Sequence, residues 1–150
     1  MHIDIRDSHE SDAAALTDIR VKSKGYWGYS NEVLEAWRPA MQITADYIRL
    51  HLVRNIYVDG LLVGFYAIAR EDTDLLDHLW LLPSSIGKGV GQRAMLHVIA
   101  TAQQLGIKSL RIISDADAAG FYLKLGAKKT DEFFSPVQNR MLPVLELAVS

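Results

Sequence analysis

Apolar residues recur along the chain with two periods, and these periods divide it into strands and helices. Ile3 and Ile5 alternate with polar neighbours, which predicts a short strand with one buried face. Later apolar runs predict strands buried on both faces, and a helical period predicts amphipathic helices between them. Strands are expected at about 2–6, 53–58, 61–69, 75–82, 108–114, 127–134 and 141–149. Helices are expected at about 12–24, 32–41, 44–51, 92–105 and 117–125.

Two connections define the expected topology. Asp59-Gly60 between two strands predicts a tight β-hairpin, and Gly64 in its second strand indicates a bulge or a close backbone approach. Further along, the strand at 75–82, the helix that follows and the strand at 108–114 predict a right-handed parallel crossover. The fold class is therefore α/β, with a mixed α+β sheet in one domain spanning 1–150. Its N-terminal strands are expected to be antiparallel and to be followed by this parallel strand–helix–strand crossover, with helices on both faces.

The composition of the chain limits the partners, cofactors and chemistry that it can be expected to use. The formal net charge of −2 gives no general attraction to nucleic acid or to an anionic membrane. Cysteine is absent, so a thiol nucleophile and disulfides are excluded. The five histidines show no metal-ligand spacing, and no metal is expected. Because no signal-like segment and no apolar run of ~20 residues occurs, we expect a cytoplasmic protein.

A glycine-rich loop follows the strand at 75–82. Pro83 ends that strand, and Gly87, Gly89 and Gly91 precede the next helix. Glycines at the start of a helix leave backbone N–H groups uncovered, and with the positive end of the helix dipole these groups favour an anion. The loop is therefore predicted to bind a phosphate group.

Sequence motifs leave more than one phosphate ligand open. A nucleoside triphosphatase loop is excluded, because Lys88 is not followed by Ser or Thr. A dinucleotide-binding fingerprint is matched literally by Gly89, Gly91 and Ala94, with Asp115 after the next strand. That fingerprint normally follows the first strand of a parallel unit, whereas a hairpin precedes it in this chain. An acyl-coenzyme A is the third candidate.

Two segments around the loop resemble signatures of the GNAT superfamily of N-acetyltransferases. Residues 86–91 are similar to the family's Arg/Gln-x-x-Gly-x-Gly/Ala, with Ile86 in place of Arg or Gln. Residues 117–127 are similar to Asn-Ala-x-x-Phe-Tyr-x-x-x-Gly-Phe, with Asp117 and Ala127 at the two ends. The resemblance implies the GNAT fold and an enzyme that transfers an acetyl group from acetyl-CoA to a primary amine by direct transfer. The amine would belong to a small molecule or a peptide.

The resemblance also implies roles for individual residues. Backbone N–H groups of the loop would hold the pyrophosphate of coenzyme A, and the preceding strand would pair with the pantetheine arm. These cofactor-binding residues are Leu79, Leu81, Leu82, Ile86, Gly87, Lys88, Gly89, Val90, Gly91, Gln92, Asp117 and Tyr122. Tyr122 also resembles the family's general acid. A phenol with a pKa of ~10 is protonated at neutral pH and supplies a proton or a hydrogen bond to the departing thiolate.

Residues outside the signatures supply the remaining candidates. Asp77 and His78 are the only polar residues inside the strand at 75–82 and are the two candidate bases. Strand alternation places them on opposite faces, so at most one is expected to face the acyl group. Trp27 and Tyr29 lie in a loop rich in glycine and aromatic residues, and they are predicted to bind the acceptor.

Two other functional classes stay open on the sequence alone. One is a noncatalytic acyl-CoA-binding regulatory module, and the other is a nucleotide-binding oxidoreductase. A homodimer is a further hypothesis, because an unpaired edge strand at 141–149 would expose apolar side chains. These side chains are Val144, Leu145, Leu147 and Val149.

Overall fold

The computed structural model describes residues 1–150 and contains every predicted strand and helix. The strands are β1 (Ile3–Asp7), β2 (Leu52–Val58), β3 (Leu61–Arg70), β4 (Asp74–Leu81), β5 (Ser109–Ile113), β6 (Lys128–Ser135) and β7 (Arg140–Ala148). The helices are α1 (Ala13–Gly25), α2 (Asn31–Trp37), α3 (Ala45–Leu50), α4 (Val90–Gln104) and α5 (Ala119–Lys124). The helix expected at 32–41 ends earlier, at Trp37, and continues as a 3₁₀ turn that contains Pro39. None of the helices combines the length and apolar character needed to span a bilayer.

The seven strands form one mixed sheet in the order β1-β2-β3-β4-β5-β7-β6. All neighbours are antiparallel except β4 and β5, which confirms the predicted mixed sheet and the predicted crossover. The parallel arrangement does not continue beyond this pair, because β7 inserts between β5 and β6. The only residue pair in register between β4 and β5 is Leu75 with Arg111. The two strands therefore diverge beyond that point.

Helices cover both faces of the sheet, as expected. On one face, α1 and α3 pack against β2 and β3 through buried apolar side chains: Leu16, Ile19, Ile48, Val53, Phe65 and Ala67. On the other face, α4 packs against β3, β5 and β7 through a larger set that includes Tyr66, Ile68, Met95, Val98, Leu110 and Leu145. Helices thus cover both faces at the centre of the sheet, beside the point where β4 and β5 separate.

The position of β7 contradicts the predicted exposed edge. Because β7 lies between β5 and β6, both of its backbone edges are paired. Val144, Leu145, Leu147 and Val149 are buried in the monomer instead of being exposed. The edge strands are β1 and β6, so the argument that led from strand 141–149 to a homodimer is wrong.

Gly64 marks a close approach between two backbones, as its position in the hairpin predicted. The register between β2 and β3 shifts beside it, since Ile56 pairs with Gly64 and Tyr57 pairs with Leu62. A Cβ atom at Gly64 would collide with the backbone carbonyl oxygen of Trp80 in β4. Glycine at this position lets β4 lie close against β3.

Candidate active site

A cavity of about 340 Å³ opens where β4 and β5 diverge. Helix α1 and the segment that follows α2 form one wall, and the start of α5 and the hairpin between β6 and β7 close the cavity from the other side. Most lining residues are apolar. Its polar residues are Arg20, Lys24, Asp77, His78, Ser114, Asp115, Tyr122 and Gln138. This is the volume of a small-molecule site, with a few polar groups converging on one space.

The glycine loop beside this cavity presents a row of free backbone donors. Gly87 and Gly89 have φ values of 79° and 82°, a conformation that other residues rarely adopt. No side chain caps α4, and none of the N–H groups from Gly87 to Gln92 donates to another protein group. A Cβ atom added at Gly87 or Gly89 would meet nothing within 4 Å. The loop therefore has the open N–H groups that a pyrophosphate requires.

Other predicted loop residues contribute differently. Ile86 is half-buried, and its N–H donates to the carbonyl oxygen of Pro83 at 3.2 Å, so it is not a free donor. The side chain of Lys88 is exposed, whereas that of Val90 is 1% exposed and packs beneath the loop. Val90 therefore offers only its backbone to a ligand.

The edge of β4 that faces β5 is available for pairing. Leu79 and Leu81 pair with β3 on one side, and the N–H of Leu82 donates to the carbonyl oxygen of Val63 at 2.7 Å. On the other side β5 has already diverged. An extended amide chain such as pantetheine can therefore add to β4 in the gap between the strands.

A β-bulge brings Asp77 and His78 to the same cavity. Ala67 pairs with His78 and Ile68 pairs with Leu76, so Asp77 is an extra residue in β4. A bulge of this kind interrupts the alternation of side chains. Both residues line the cavity, with 3.7 Å between Nε2 of His78 and Oδ2 of Asp77. The expectation that they point to opposite faces is wrong.

Asp77 has a defined hydrogen-bond donor. The hydroxyl of Tyr47, from α3, donates to Oδ2 of Asp77. Burial raises the pKa of Tyr47, and its bond to Asp77 raises that pKa further. Tyr47 is therefore protonated at neutral pH and orients the carboxylate. The Asp77 side chain is 33% exposed, so both water and a ligand can reach it.

His78 is buried and held as a neutral imidazole. Burial lowers its pKa to about 4, and the nearby positive charge of Arg20 adds to the effect. The indole Nε1–H of Trp80 donates to Nδ1 of His78 at 2.9 Å. This bond occupies the lone pair of Nδ1 and leaves the proton on Nε2. His78 consequently has no free lone pair with which to accept a proton.

Tyr122 brings an unpaired hydroxyl to the cavity. Its side chain is 7% exposed, and Phe121 packs against its ring with centroids 5.1 Å apart. Burial raises the pKa of Tyr122, and the negative charge of Asp115 raises it further. The hydroxyls of Tyr47 and Tyr66 bond to protein groups, whereas that of Tyr122 has no protein partner. Tyr122 is therefore a protonated donor available to a ligand.

A buried ion pair forms the far wall of the cavity. Nζ of Lys24 lies 2.6 Å from Oδ1 of Asp115, and the two side chains are 3% and 12% exposed. Gln138 also donates to Asp115, at 3.2 Å. Because these groups satisfy Asp115, it does not cap the following helix, and neither does Asp117.

Several lining residues were missed in the sequence. Arg20 and Lys24 follow the buried Leu16 at four-residue intervals, so all three share one face of α1. This spacing could have revealed them in the sequence, because basic residues that continue the buried face of a helix are expected to point toward the interior.

The remaining candidates lie outside the cavity or at its margin. Asp117 is exposed, and Trp27 is 40% exposed. Neither residue lines the cavity. Tyr29 packs edge-on against Trp37 with ring centroids 4.9 Å apart, and Trp37 is the aromatic residue of this region that reaches the cavity. Of the two predicted acceptor-binding residues, Tyr29 therefore lies behind Trp37 and Trp27 lies outside the cavity.

The family model described as the acetyltransferase (GNAT) family matches residues 13–127, well over half of the chain. The chain belongs to this family. The PaiA N-acetyltransferase of Thermoplasma acidophilum, solved with coenzyme A, is similar over 99% of both chains, with 22% identity and a TM-score of 0.81. A GNAT family acetyltransferase of Brucella melitensis, solved with acetyl-CoA, is similar over 98% of this chain and 88% of its own, with 22% identity and a TM-score of 0.62.

A third solved structure covers a larger protein. N-acetylglutamate synthase of Neisseria gonorrhoeae, complexed with coenzyme A and N-acetylglutamate, is similar over 100% of this chain and 36% of its own. The identity is 20% and the TM-score is 0.72. No curated protein sequence matches the chain.

Family membership confirms the predicted GNAT fold, the acetyltransferase class and acetyl-CoA as the cosubstrate. Of the ligands left open on the sequence, acyl-coenzyme A is the one that fits this family. The dinucleotide alternative is wrong, because the sheet has a single parallel pair and Asp115 is held by Lys24. No group of three or more His, Cys, Asp or Glu side chains is positioned to hold a metal ion.

Proposed function

We propose that this acetyltransferase moves the acetyl group of acetyl-CoA directly to a primary amine while both substrates are bound. The observation that carries the proposal is the single cavity shared by Tyr122, Asp77 and the open edge of β4. The chain has no cysteine to carry an acyl intermediate. One space thus offers a donor for the leaving group and an acceptor for the amine's proton.

Acetyl-CoA binding is assigned to backbone groups. The N–H groups from Gly87 to Gln92 receive the pyrophosphate, and the positive end of the α4 dipole adds to that attraction. The edge of β4 between Leu79 and Leu82 receives the pantetheine amides. The Ile86 side chain replaces the family's Arg or Gln, so this site relies on backbone donors with Lys88 as the nearby charge.

Tyr122 stabilises the departing sulfur. The amine nitrogen attacks the thioester carbonyl carbon, a C–N bond forms, the C–S bond breaks and the electron pair stays on sulfur. Because burial raises the pKa of Tyr122 further above that of a thiol (~8.5), the phenol acts chiefly as a hydrogen-bond donor to the thiolate. The nitrogen then loses one proton to Asp77 or water, and the thiolate takes up a proton from water, so that the products are the amide and the free thiol of coenzyme A.

Asp77 is assigned as the group that receives the amine's proton, directly or through water. His78 is the weaker candidate, because Trp80 already occupies its only lone pair. His78 instead fixes the position of Trp80 and borders the carboxylate. Tyr47 donates to Asp77 and holds it at the cavity.

An amine panel with acetyl-CoA, measured by free thiol release, tests the proposed reaction. Tyr122→Phe is expected to lower turnover by about 10- to 100-fold, the loss of one hydrogen bond to a charged group, while coenzyme A binding persists. Tyr26→Phe is the matched control, since Tyr26 is exposed and lies outside the cavity. If wild-type protein binds coenzyme A but acetylates no amine, the alternative of a noncatalytic acyl-CoA-binding module is supported.

A pH–rate profile identifies the base. The acidic limb of the profile is expected to disappear in Asp77→Asn and to persist in His78→Ala. The opposite result would transfer the role to His78. Loss of the limb in neither variant would assign the proton to solvent water alone.

A further inference from the structure

Arg20 is the one cation of the cavity without a partner. Helix α1 places it one turn from Leu16 and one turn from Lys24, so it faces the same space as the ion pair. No carboxylate oxygen lies within 4.0 Å of its guanidinium group, whereas Lys24 is paired with Asp115. Nε of Arg20 is buried and has no hydrogen-bond partner. A buried N–H group of this kind normally has an acceptor.

Trp80 fixes the orientation of this guanidinium. Cζ of Arg20 lies 5.6 Å from the centroid of the Trp80 ring. Packing on an aromatic face leaves the edge of the planar guanidinium free for in-plane hydrogen bonds. In turn, Trp80 is tied to His78 by its indole N–H. The side chain is therefore positioned before any ligand arrives.

Charges in the cavity pair off except for two. Lys24 and Asp115 neutralise each other, and His78 is neutral because burial lowers its pKa. Asp77 remains as a carboxylate whose hydrogen-bond donor, Tyr47, carries no charge. One unpaired negative group and one unpaired positive group thus face the same space. An acceptor with one amine and one acidic group matches both.

We infer that the acceptor is an amino acid whose carboxylate is bound by Arg20 while its amine faces Asp77. This inference rests on the proposed transfer to a primary amine and names the substrate class of the same site. A guanidinium binds a carboxylate through two parallel N–H bonds, which fixes both distance and orientation. A carboxylate anchored in this way holds the neighbouring amine beside the thioester.

Apolar walls define the side chain of this acceptor. They consist of Trp37, Met41, Val137, Phe133 and Leu142, which line the same cavity as the polar groups. Apart from Arg20, Lys24, Asp77 and Asp115, no charged residue lines the cavity. The expected acceptor is therefore an amino acid with an apolar side chain, such as phenylalanine or leucine.

Electrostatics supports a ligand at Arg20. Burial lowers the pKa of Arg20, and the charges of Asp77 and Asp115 only partly offset that cost. A carboxylate that arrives with the substrate supplies a partner at short range and completes the hydrogen bonding of the guanidinium. The guanidinium group of Arg20 has already lost its water during folding, so its desolvation does not weaken the binding of the carboxylate.

The test compares L-phenylalanine with phenethylamine, which has the same skeleton without the carboxylate. Wild-type protein is expected to acetylate phenylalanine with the higher kcat/KM. In Arg20→Gln, kcat/KM for phenylalanine should fall by about 10- to 100-fold, mainly through KM, because a charged hydrogen bond is lost. The fall for phenethylamine should be much smaller. L-leucine and isoamylamine form a second matched pair.

Two controls separate the possible outcomes. Lys22→Gln removes a positive charge from the exposed side of α1 and should leave the ratio between paired substrates unchanged. Coenzyme A binding is measured by calorimetry on every variant. If Arg20→Gln lowers both substrates of a pair equally, or if wild-type protein prefers the amine without a carboxylate, the inference is overturned and acetyl transfer to amines stands. If no amine is acetylated although coenzyme A binds, both the inference and the proposed function fail.

Discussion

Replacing Lys24 with Met should remove a large part of the stability of this protein. The ion pair with Asp115 joins α1 to the end of β5 across 91 residues of chain, and the two side chains are 3% and 12% exposed. In Lys24→Met the carboxylate stays buried with Gln138 as its only donor. Leaving one charge of a buried pair without its partner costs about 3–5 kcal/mol. A typical domain has only about 5–15 kcal/mol of unfolding free energy.

Urea unfolding followed by circular dichroism measures this loss. With a slope of about 2 kcal/mol per molar, the expected shift of the midpoint is about 1.5–2.5 M toward lower urea. Lys22→Met is the matched control, because Lys22 and Asp18 form an exposed pair, at 2.8 Å, that contributes about 0–1 kcal/mol.

A double variant distinguishes a stranded charge from lost packing. Lys24→Met with Asp115→Val removes both charges and should recover most of the lost stability, because a buried pair is often no better than apolar residues of similar volume. The reasoning is refuted if Lys24→Met costs less than about 1 kcal/mol. It is also refuted if the double variant is less stable than the single one.

Three further predictions concern the site and its support. The pKa of His78 falls from 6.5 to about 4 on folding, so the unfolding free energy should decrease by as much as roughly 3 kcal/mol as the pH falls from 6.5 toward 4. His78→Phe should flatten this part of the stability curve, and equal slopes in the two proteins would contradict the assignment. Gly89→Ala and Gly106→Ala should each lower the unfolding free energy, measured in urea, by about 1–2 kcal/mol, because both glycines have positive φ. Only Gly89→Ala should also weaken coenzyme A binding in calorimetry. Gly64→Ala should lower the unfolding free energy by about 1–3 kcal/mol by pushing β3 away from the Trp80 carbonyl, and an unchanged urea midpoint would show that the backbones are not in close contact.

Local signals account for the parts of the fold that the sequence predicted. Periodicity encodes which face of a helix or strand is buried, so the elements and the mixed sheet followed from it. The loop was predictable for a similar reason, since Gly87 and Gly89 adopt a conformation that few other residues tolerate. Tyr122 was found through the second family signature and not through periodicity, which would have assigned it to the core.

Features that depend on distant pairing were not predictable in this way. The face of Asp77 depends on the register between β4 and β3, and a bulge in one strand leaves no trace in alternation alone. The burial of Val144 depends on β7 inserting beside β5, which is a choice of neighbour made across the whole sheet. Arg20 resembles a solvated residue until Trp80 and the cavity are placed around it.

The bulge in β4 also shows which residue the sheet can do without. Leu76 and His78 already face partners that are adjacent in β3, so removing Asp77 would join them as consecutive residues of a regular strand. Every other side chain of β4 would keep its face and its partner. Strand β4 therefore contains one residue more than its pairing with β3 requires. That residue is Asp77, which we assign as the acceptor of the amine's proton. A chain shortened by this single residue would therefore keep the strand pairing of β4 and lack the carboxylate to which we assign the amine's proton.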